Sequence, residues 1–285
     1  MREASSSRLG LVERLVHPPP VVAVLRLSGM LGGIGPLRRG MTLAETGPLI
    51  ERAFAFKRLK AVALAINSPG GSPVQAGLIC RRIRALAEEK DVPVVAFAED
   101  VAASGGYWLA CAADEIFADE NSILGSIGVI SAGFGFAGLL DKLGVERRVH
   151  TQGALKGMLD PFRPEDPAHV ARLEAIQSDM HASFKELVRR RRGKRLKGDA
   201  EELFSGAFWT GRRALELGLI DGIGEPRAIM RDRFGSRVRL RLVGPRAGWL
   251  RRRLTRGRAE AAAGALGTGL IAAAEERALW ARYGL

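Results

Sequence analysis

The sequence predicts an α/β domain: a mostly parallel sheet with crossover helices. Three observations carry that expectation. Apolar, β-branched runs alternate with amphipathic helical stretches between residues 21 and 118, in the order strand–helix–strand–helix–strand–helix. The run at residues 61–66 is apolar throughout, as a strand covered on both faces must be. Glycine-rich turns close the second and third runs, and parallel sheets place their chemistry beyond such carboxyl ends.

Each element has a local reason. Residues 9–16 suit a short amphipathic helix, with Leu9, Val12, Leu15 and Val16 on one side, and His17-Pro18-Pro19-Pro20 breaks it. A strand is expected at 21–27. The glycine-rich loop at 29–40 lacks the Lys-Ser/Thr ending of a P-loop. Thr42, with Glu45 three residues on, reads as the capping box of a helix reaching Lys57. Strand 61–66 ends in Asn67-Ser68-Pro69-Gly70-Gly71, and helix 74–90 follows. Strand 92–97 leads into Ala102-Ala103-Ser104-Gly105-Gly106, a helix to Ala113 and a short strand at 115–118. Beyond these come a small, apolar stretch at 121–130, a helix at 136–143 and a strand at 145–150. A long capped helix at 167–190 and a helix within 210–221 closing on glycine complete the series. The expected domain spans residues 21–243, preceded by an N-terminal segment, 1–20, and followed by a basic, alanine-rich helical tail, 244–285.

Composition narrows the function. Hydrophobic residues at 47% and charged residues at 26% are those of a soluble globular protein. Cys80 and Cys111 have no metal-ligand spacing and read as buried thiols, so neither a disulfide framework nor a metal is expected. The net charge of +13 is concentrated at residues 189–195 and 237–258. No nucleic-acid-binding motif accompanies it, and aromatic residues make up only 6%, which disfavours nucleic acid and prefers an anionic membrane surface. No stretch reaches the roughly 18–20 apolar residues of a membrane-spanning helix, and the first sixteen residues are not a secretory signal. The expected location is cytoplasmic, peripheral to the membrane.

Ser104 is the candidate nucleophile. A serine on a tight strand-to-helix turn holds its hydroxyl outward beside the helix's free N–H groups, where developing negative charge is favoured. Serine is also a preferred N-cap, and the short motif alone would favour the cap. The second glycine turn reverses that preference. Two such turns at successive strand ends form an oxyanion hole, with the N–H groups of Gly71 and Gly105 as donors. A histidine base has four candidates. His17 precedes the domain, His169 and His181 fall on a long polar helix, and His150, at the end of the 145–150 strand near Lys156, is the competitor.

The Asn-Ser-Pro-Gly-Gly turn resembles one in the S49 serine peptidases, the family of signal peptide peptidase A. So do Ala-Ser-Gly-Gly-Tyr at 103–107, Leu-Gly-Ser-Ile-Gly-Val at 124–129, and the lysine of Gly-Ala-Leu-Lys-Gly-Met-Leu-Asp-Pro-Phe at 153–162. A closing Thr-Gly-Arg-Arg-Ala-Leu-Glu-Leu-Gly-Leu-Ile-Asp at 210–221 extends the likeness over residues 21–229. The resemblance implies a ClpP/crotonase-like fold, a membrane-associated ring of identical subunits, peptide substrates such as signal-peptide remnants, and no cofactor or metal. It places the nucleophile at Ser104, the general base at Lys156, the serine that orients the base at Ser126, and the oxyanion donors at Gly71 and Gly105. A lysine acts as base only when neutral. From a free value of about 10.4, work near pH 7–8 needs apolar burial favouring the amine by about 4 kcal/mol. Two rival classes share the sequence features. One is a crotonase-like acyl-CoA enzyme without a serine nucleophile; the other is a non-enzymatic membrane-associated scaffold.

Overall fold

The computed structural model describes residues 19–32, 40–244 and 277–284. The helix expected at residues 9–16 and most of the tail after residue 243 lie outside these residues. Among them, the strands are β1 (Val21–Ser28), β2 (Leu59–Ser68), β3 (Val94–Ala103), β4 (Glu115–Ala118), β5 (Ile123–Gly125), β6 (Phe208–Thr210), β7 (Gly222–Ile223) and β8 (Arg239–Leu242). The helices are α1 (Leu43–Ala53), α2 (Pro73–Lys90), α3 (Gly105–Ala110), α4 (Ala137–Leu143), α5 (Pro167–Arg192), α6 (Ala200–Leu203), α7 (Gly211–Glu216) and α8 (Pro226–Phe234). The α/β class and the mostly parallel sheet are as expected: the order is β6-β5-β3-β2-β1-β8, and only the β5–β6 pair is antiparallel.

Alternation along β2 builds the two faces of the sheet. Val62, Leu64 and Ile66 join Leu25 and Leu27 of β1 under the helices, while Ala61 and Ala63 face a smaller cluster with Phe97, Phe117 and Met230 of α8. Large residues go where α1, α2, α3 and α5 must be held, and each fully buried Leu or Ile stabilises the fold by about 1.5–3 kcal/mol. Helix starts follow their caps. The Thr42 hydroxyl accepts from the Glu45 N–H at 3.3 Å, and Asp166 accepts from the Ala168 N–H at 2.8 Å. Helix α1 ends at Ala53 rather than Lys57, because Phe54 turns into the core as its C-cap.

Two further expectations needed revision. Strand β3 runs to Ala103 instead of stopping at Phe97: its first half pairs with β4, and Val101–Ala103 pair with Ile123–Gly125 of β5. Residues 145–150 form no strand; they are exposed and pair with no described strand. They belong to an arm, residues 131–166, that stands clear of the core with Phe134 82% and Leu143 64% exposed.

Candidate active site

The site grows out of three adjoining carboxyl ends. Strand β2 delivers the Pro69-Gly70-Gly71 turn, β3 delivers Ser104, and β5 delivers Ser126. Parallel pairing of Ala103 with Gly125 makes Ser104 and Ser126 successive neighbours across the β3–β5 seam, and the Ser104 N–H donates to the Gly125 carbonyl at 2.8 Å. Both serines line one groove of about 710 Å³.

Ser104 occupies φ 53, ψ −121, a conformation that costs a non-glycine residue about 1–3 kcal/mol. It stands at the N-cap position of α3 yet makes no side-chain capping bond, so the simpler reading of this serine as a helix cap does not describe it. Helix α3 holds it from below: its carbonyl accepts from the Trp108 N–H at 3.0 Å.

The glycine turn presses directly against this elbow. Gly70 adopts φ 110, and a Cβ there would meet the Ser104 Cβ at 2.7 Å and the Gly105 nitrogen at 2.9 Å. The Gly70 carbonyl is tied to the Leu31 N–H at 2.8 Å, and the Leu31 carbonyl to the Ser72 N–H at 2.9 Å. The N–H groups of Gly71 and Gly105 have no acceptor among the described residues. They sit close together, since a Cβ on Gly105 would lie 3.5 Å from the Gly71 nitrogen. Paired free donors beside a hydroxyl can stabilise an oxyanion.

Ser126 is buried at φ 51, with its N–H donated to the Ala207 carbonyl at 2.6 Å. Lys156 is elsewhere. It lies in an exposed turn of the arm beside Leu155, which is 56% exposed, and it does not line the groove. The apolar burial expected around it is absent from the single chain. His150, the competing base, is exposed in the same arm and lines no part of the groove either.

Several groove residues were missed in the sequence. Trp108, Val129, Ile130, Met180 and Phe184 give it an apolar wall, and Trp108 stacks on Phe184 at 4.7 Å. His181, assigned above to a polar helix, lines the groove through α5. Residues 277–281 are helical, and Leu279, Arg282 and Tyr283 also reach the groove, with Tyr283 edge-on to Phe208 at 5.1 Å. Helical periodicity could have flagged Met180, His181 and Phe184 as one stripe, but it does not say which strand end they cover. Among the described residues, no cluster of three His, Cys, Asp or Glu side chains is placed to hold a metal ion.

Within the basic run at 189–195, Arg191 and Arg192 turn inward and form a latch behind this site. Arg192, 2% exposed, makes paired hydrogen bonds to Asp221 at 2.6 and 3.0 Å and donates to the Gly218 carbonyl at 3.0 Å. Asp221 also accepts from the Ile116 N–H at 2.7 Å. Burial opposes ionisation of Asp221, but the Arg192 and Ile116 hydrogen bonds outweigh it and hold the carboxyl below its ordinary value. The Tyr107 hydroxyl donates to the Leu219 carbonyl at 2.7 Å, tying α3 to the same segment. Cys80 and Cys111 are buried as expected, and burial pushes their thiols up to about 11 and about 12. These are inert thiols.

Known proteins share this framework. The family profile of peptidase family S49 matches residues 86–232, just over half of the chain. A Brucella abortus protein named Na(+)/H(+) antiporter NhaA is 53% identical over 290 residues, covering 97% of this chain and 39% of that one. The shared stretch contains the peptidase-family region, and no described helix is long and apolar enough to cross a membrane, so the antiporter name is not carried over. The chloroplastic serine protease SPPA of Arabidopsis thaliana is 34% identical over 208 residues, covering 71% of this chain and 30% of that one. Protease 4 of Haemophilus influenzae is 31% identical over 223 residues, covering 75% and 35%. The chain therefore spans between 30% and 39% of these three relatives' lengths. On the profile match, and with the turns and motifs in the order the resemblance requires, the chain belongs to peptidase family S49.

Proposed function

We propose that the chain is a serine peptidase that cleaves peptides through an acyl-enzyme on Ser104. The observation that carries this reading is the elbow itself: a strained serine without a capping bond, beside two glycine N–H groups that have no acceptor among the described residues. Ser104 attacks the peptide carbonyl, Gly71 and Gly105 hold the oxyanion, and Lys156, oriented by Ser126, takes the hydroxyl proton and returns it to the leaving amine. Water activated by the same lysine then releases the acyl group. The apolar groove wall favours peptides with apolar side chains, among them signal-peptide remnants and other membrane-associated peptides.

A neighbouring copy completes the site in this reading. Lys156 sits in an arm with Phe134, Leu139, Leu143, Val145 and Leu155 all more than half exposed. Packing that arm on a second subunit, within a ring, supplies both the reach to Ser104 and the dry surroundings a lysine base needs. The setting is peripheral to an anionic membrane on the cytoplasmic side.

The test is labelling by a fluorophosphonate probe, with product peptides identified by mass spectrometry. Wild type is expected to be labelled at Ser104 and to cleave. Ser104→Ala and Lys156→Ala are each expected to lose activity on the order of 10³-fold or more. A mixture of the two inactive variants regains activity if the pair forms between copies. An unlabelled Ser104 sinks the reading and leaves the acyl-CoA and scaffold classes; activity that survives Lys156→Ala and dies in His150→Ala moves the base to histidine.

A further inference from the structure

We infer that His181 is a positioning residue that fixes the distance between the two serines; the inference rests on the peptidase reading above. His181 Nε2 lies 3.0 Å from the carbonyl oxygen of Ile127, the residue after Ser126. A carbonyl has no proton to give, so Nε2 carries the hydrogen and donates it. That bond leaves Nε2 unable to accept the Ser104 proton. His181 acts here through Nε2 as a support; Nδ1 keeps a lone pair, and His181→Gln below, which donates but takes no proton, separates support from base.

What it supports is the turn that carries Ser126. Ser126 is held at φ 51 by its own N–H on the Ala207 carbonyl, and its carbonyl accepts from the Gly128 N–H at 3.0 Å. Both of those are main-chain bonds. His181 adds a side-chain bond from a different element, onto the carbonyl of a residue whose side chain is fully buried. Removing the donor leaves that carbonyl without its partner, and an unpaired buried acceptor drives the turn to rearrange.

One helical turn along, Phe184 stacks on Trp108, whose N–H is bonded to the Ser104 carbonyl. Helix α5 thus grips the nucleophile's helix with Phe184 and the Ser126 turn with His181. The first half of α5 is mostly exposed, and His181 is where its packing on the domain begins. The two grips set the Ser104–Ser126 geometry, where a displacement of about 1 Å costs roughly 10²-fold in rate.

Three variants and a pH profile test this on an apolar fluorogenic peptide. His181→Phe keeps a ring and removes the donor; it is expected to lose on the order of 10²-fold in kcat with KM little changed, and to slow fluorophosphonate labelling of Ser104. His181→Gln restores an N–H donor and is expected within about threefold of wild type. Neutral and charged imidazole both donate through Nε2, so the pH profile of His181→Gln should overlay that of wild type. Arg282 is the other charged side chain among the described residues lining the groove, and Arg282→Gln controls for its field. The inference is overturned if His181→Phe is as active as wild type. It is equally overturned if His181→Gln is as inactive as His181→Phe, or if its pH profile departs from that of wild type. Activity that merely follows the folded fraction, read by thermal melting, also overturns it. A wild type that is never labelled at Ser104 fails the peptidase reading first; a labelled wild type with an equally labelled His181→Phe fails this inference alone.

Discussion

The strand-end turns and the arm are built on opposite terms. Around Ser104 every neighbour is fixed: Gly70 abuts it, Gly125 and Trp108 bond its backbone, and Arg192 with Asp221 locks the segment behind α3. Among the described residues, the hydrogen bonds and ring contacts of the arm at 131–166 are local. Phe136 packs on Phe162 at 5.5 Å, the Arg147 guanidinium lies 4.9 Å above the Phe162 ring, and large apolar side chains face outward. On the peptidase reading proposed above, a single chain therefore pre-organises the nucleophile and its oxyanion donors but leaves the base on a surface of the kind that packs against another protein.

The contrast is broken most forcefully at the latch. Arg192→Ala strands a half-buried Asp221 without its main partner, and losing one member of a buried pair costs about 3–5 kcal/mol. A fall in melting temperature of roughly 10 °C is expected. A loss under about 1 kcal/mol would show that the segment behind α3 is not locked. Next comes Gly70→Ala. The positive φ and the 2.7 Å approach to the Ser104 Cβ predict a loss of about 1–3 kcal/mol and slower labelling of Ser104. Gly138→Ala in the arm has nothing within 4 Å of the new methyl, so it should leave stability unchanged or slightly raised. Equal effects at the two glycines would erase the distinction.

Acid sharpens the same comparison. The folded Asp221 carboxyl is held below its ordinary value, so its contribution is fully present above about pH 3.9 and is lost as pH falls towards the lower folded value. Urea midpoints measured from pH 5 to pH 2 should fall less steeply in Asp221→Asn than in wild type. Identical slopes would mean that the carboxyl is not the group the latch depends on.

How much of this could be read in the sequence follows the same division. Strands β1, β2 and β4, the first half of β3, the cap at Thr42 and the two glycine turns were legible because local chemistry dictates them, whereas β5 to β8 are too short to carry a pattern of their own. The second half of β3 was hidden by Glu99 and Asp100, which look like a loop but are satisfied by Arg26 and by the Asn67 amide. The arginine run looked like a surface for anionic partners. Yet Arg191, Arg192 and Arg195 pair with Asp114 and Asp221, and Arg189 covers Phe204, partners between 15 and about 80 residues away in sequence. His181 was set aside for its polar neighbours, because nothing local says that its helix crosses the end of β5. The 145–150 run has strand-like composition but no described strand beside it to pair with, and isolated extended backbone does not persist without a partner.

The smallest expected change in a single chain is also the one that decides what the arm is for. Phe134→Ser removes a ring that is 82% exposed and touches little besides Phe136, 6.4 Å away between ring centres. Its effect on the stability of the isolated chain should stay within about 0.5 kcal/mol, as for surface changes generally. If the arm packs on a second copy, the same ring is buried there, and its loss shifts the sedimentation profile towards smaller species and lowers cleavage in proportion. In that case labelling of Ser104 by a small fluorophosphonate should track the cleavage loss, because on the proposed reading the serine is activated only where a second copy's Lys156 reaches it. An unchanged assembly with unchanged activity would mean that the arm does not carry the base to another subunit, and Lys156 would have to reach Ser104 by folding back within its own chain.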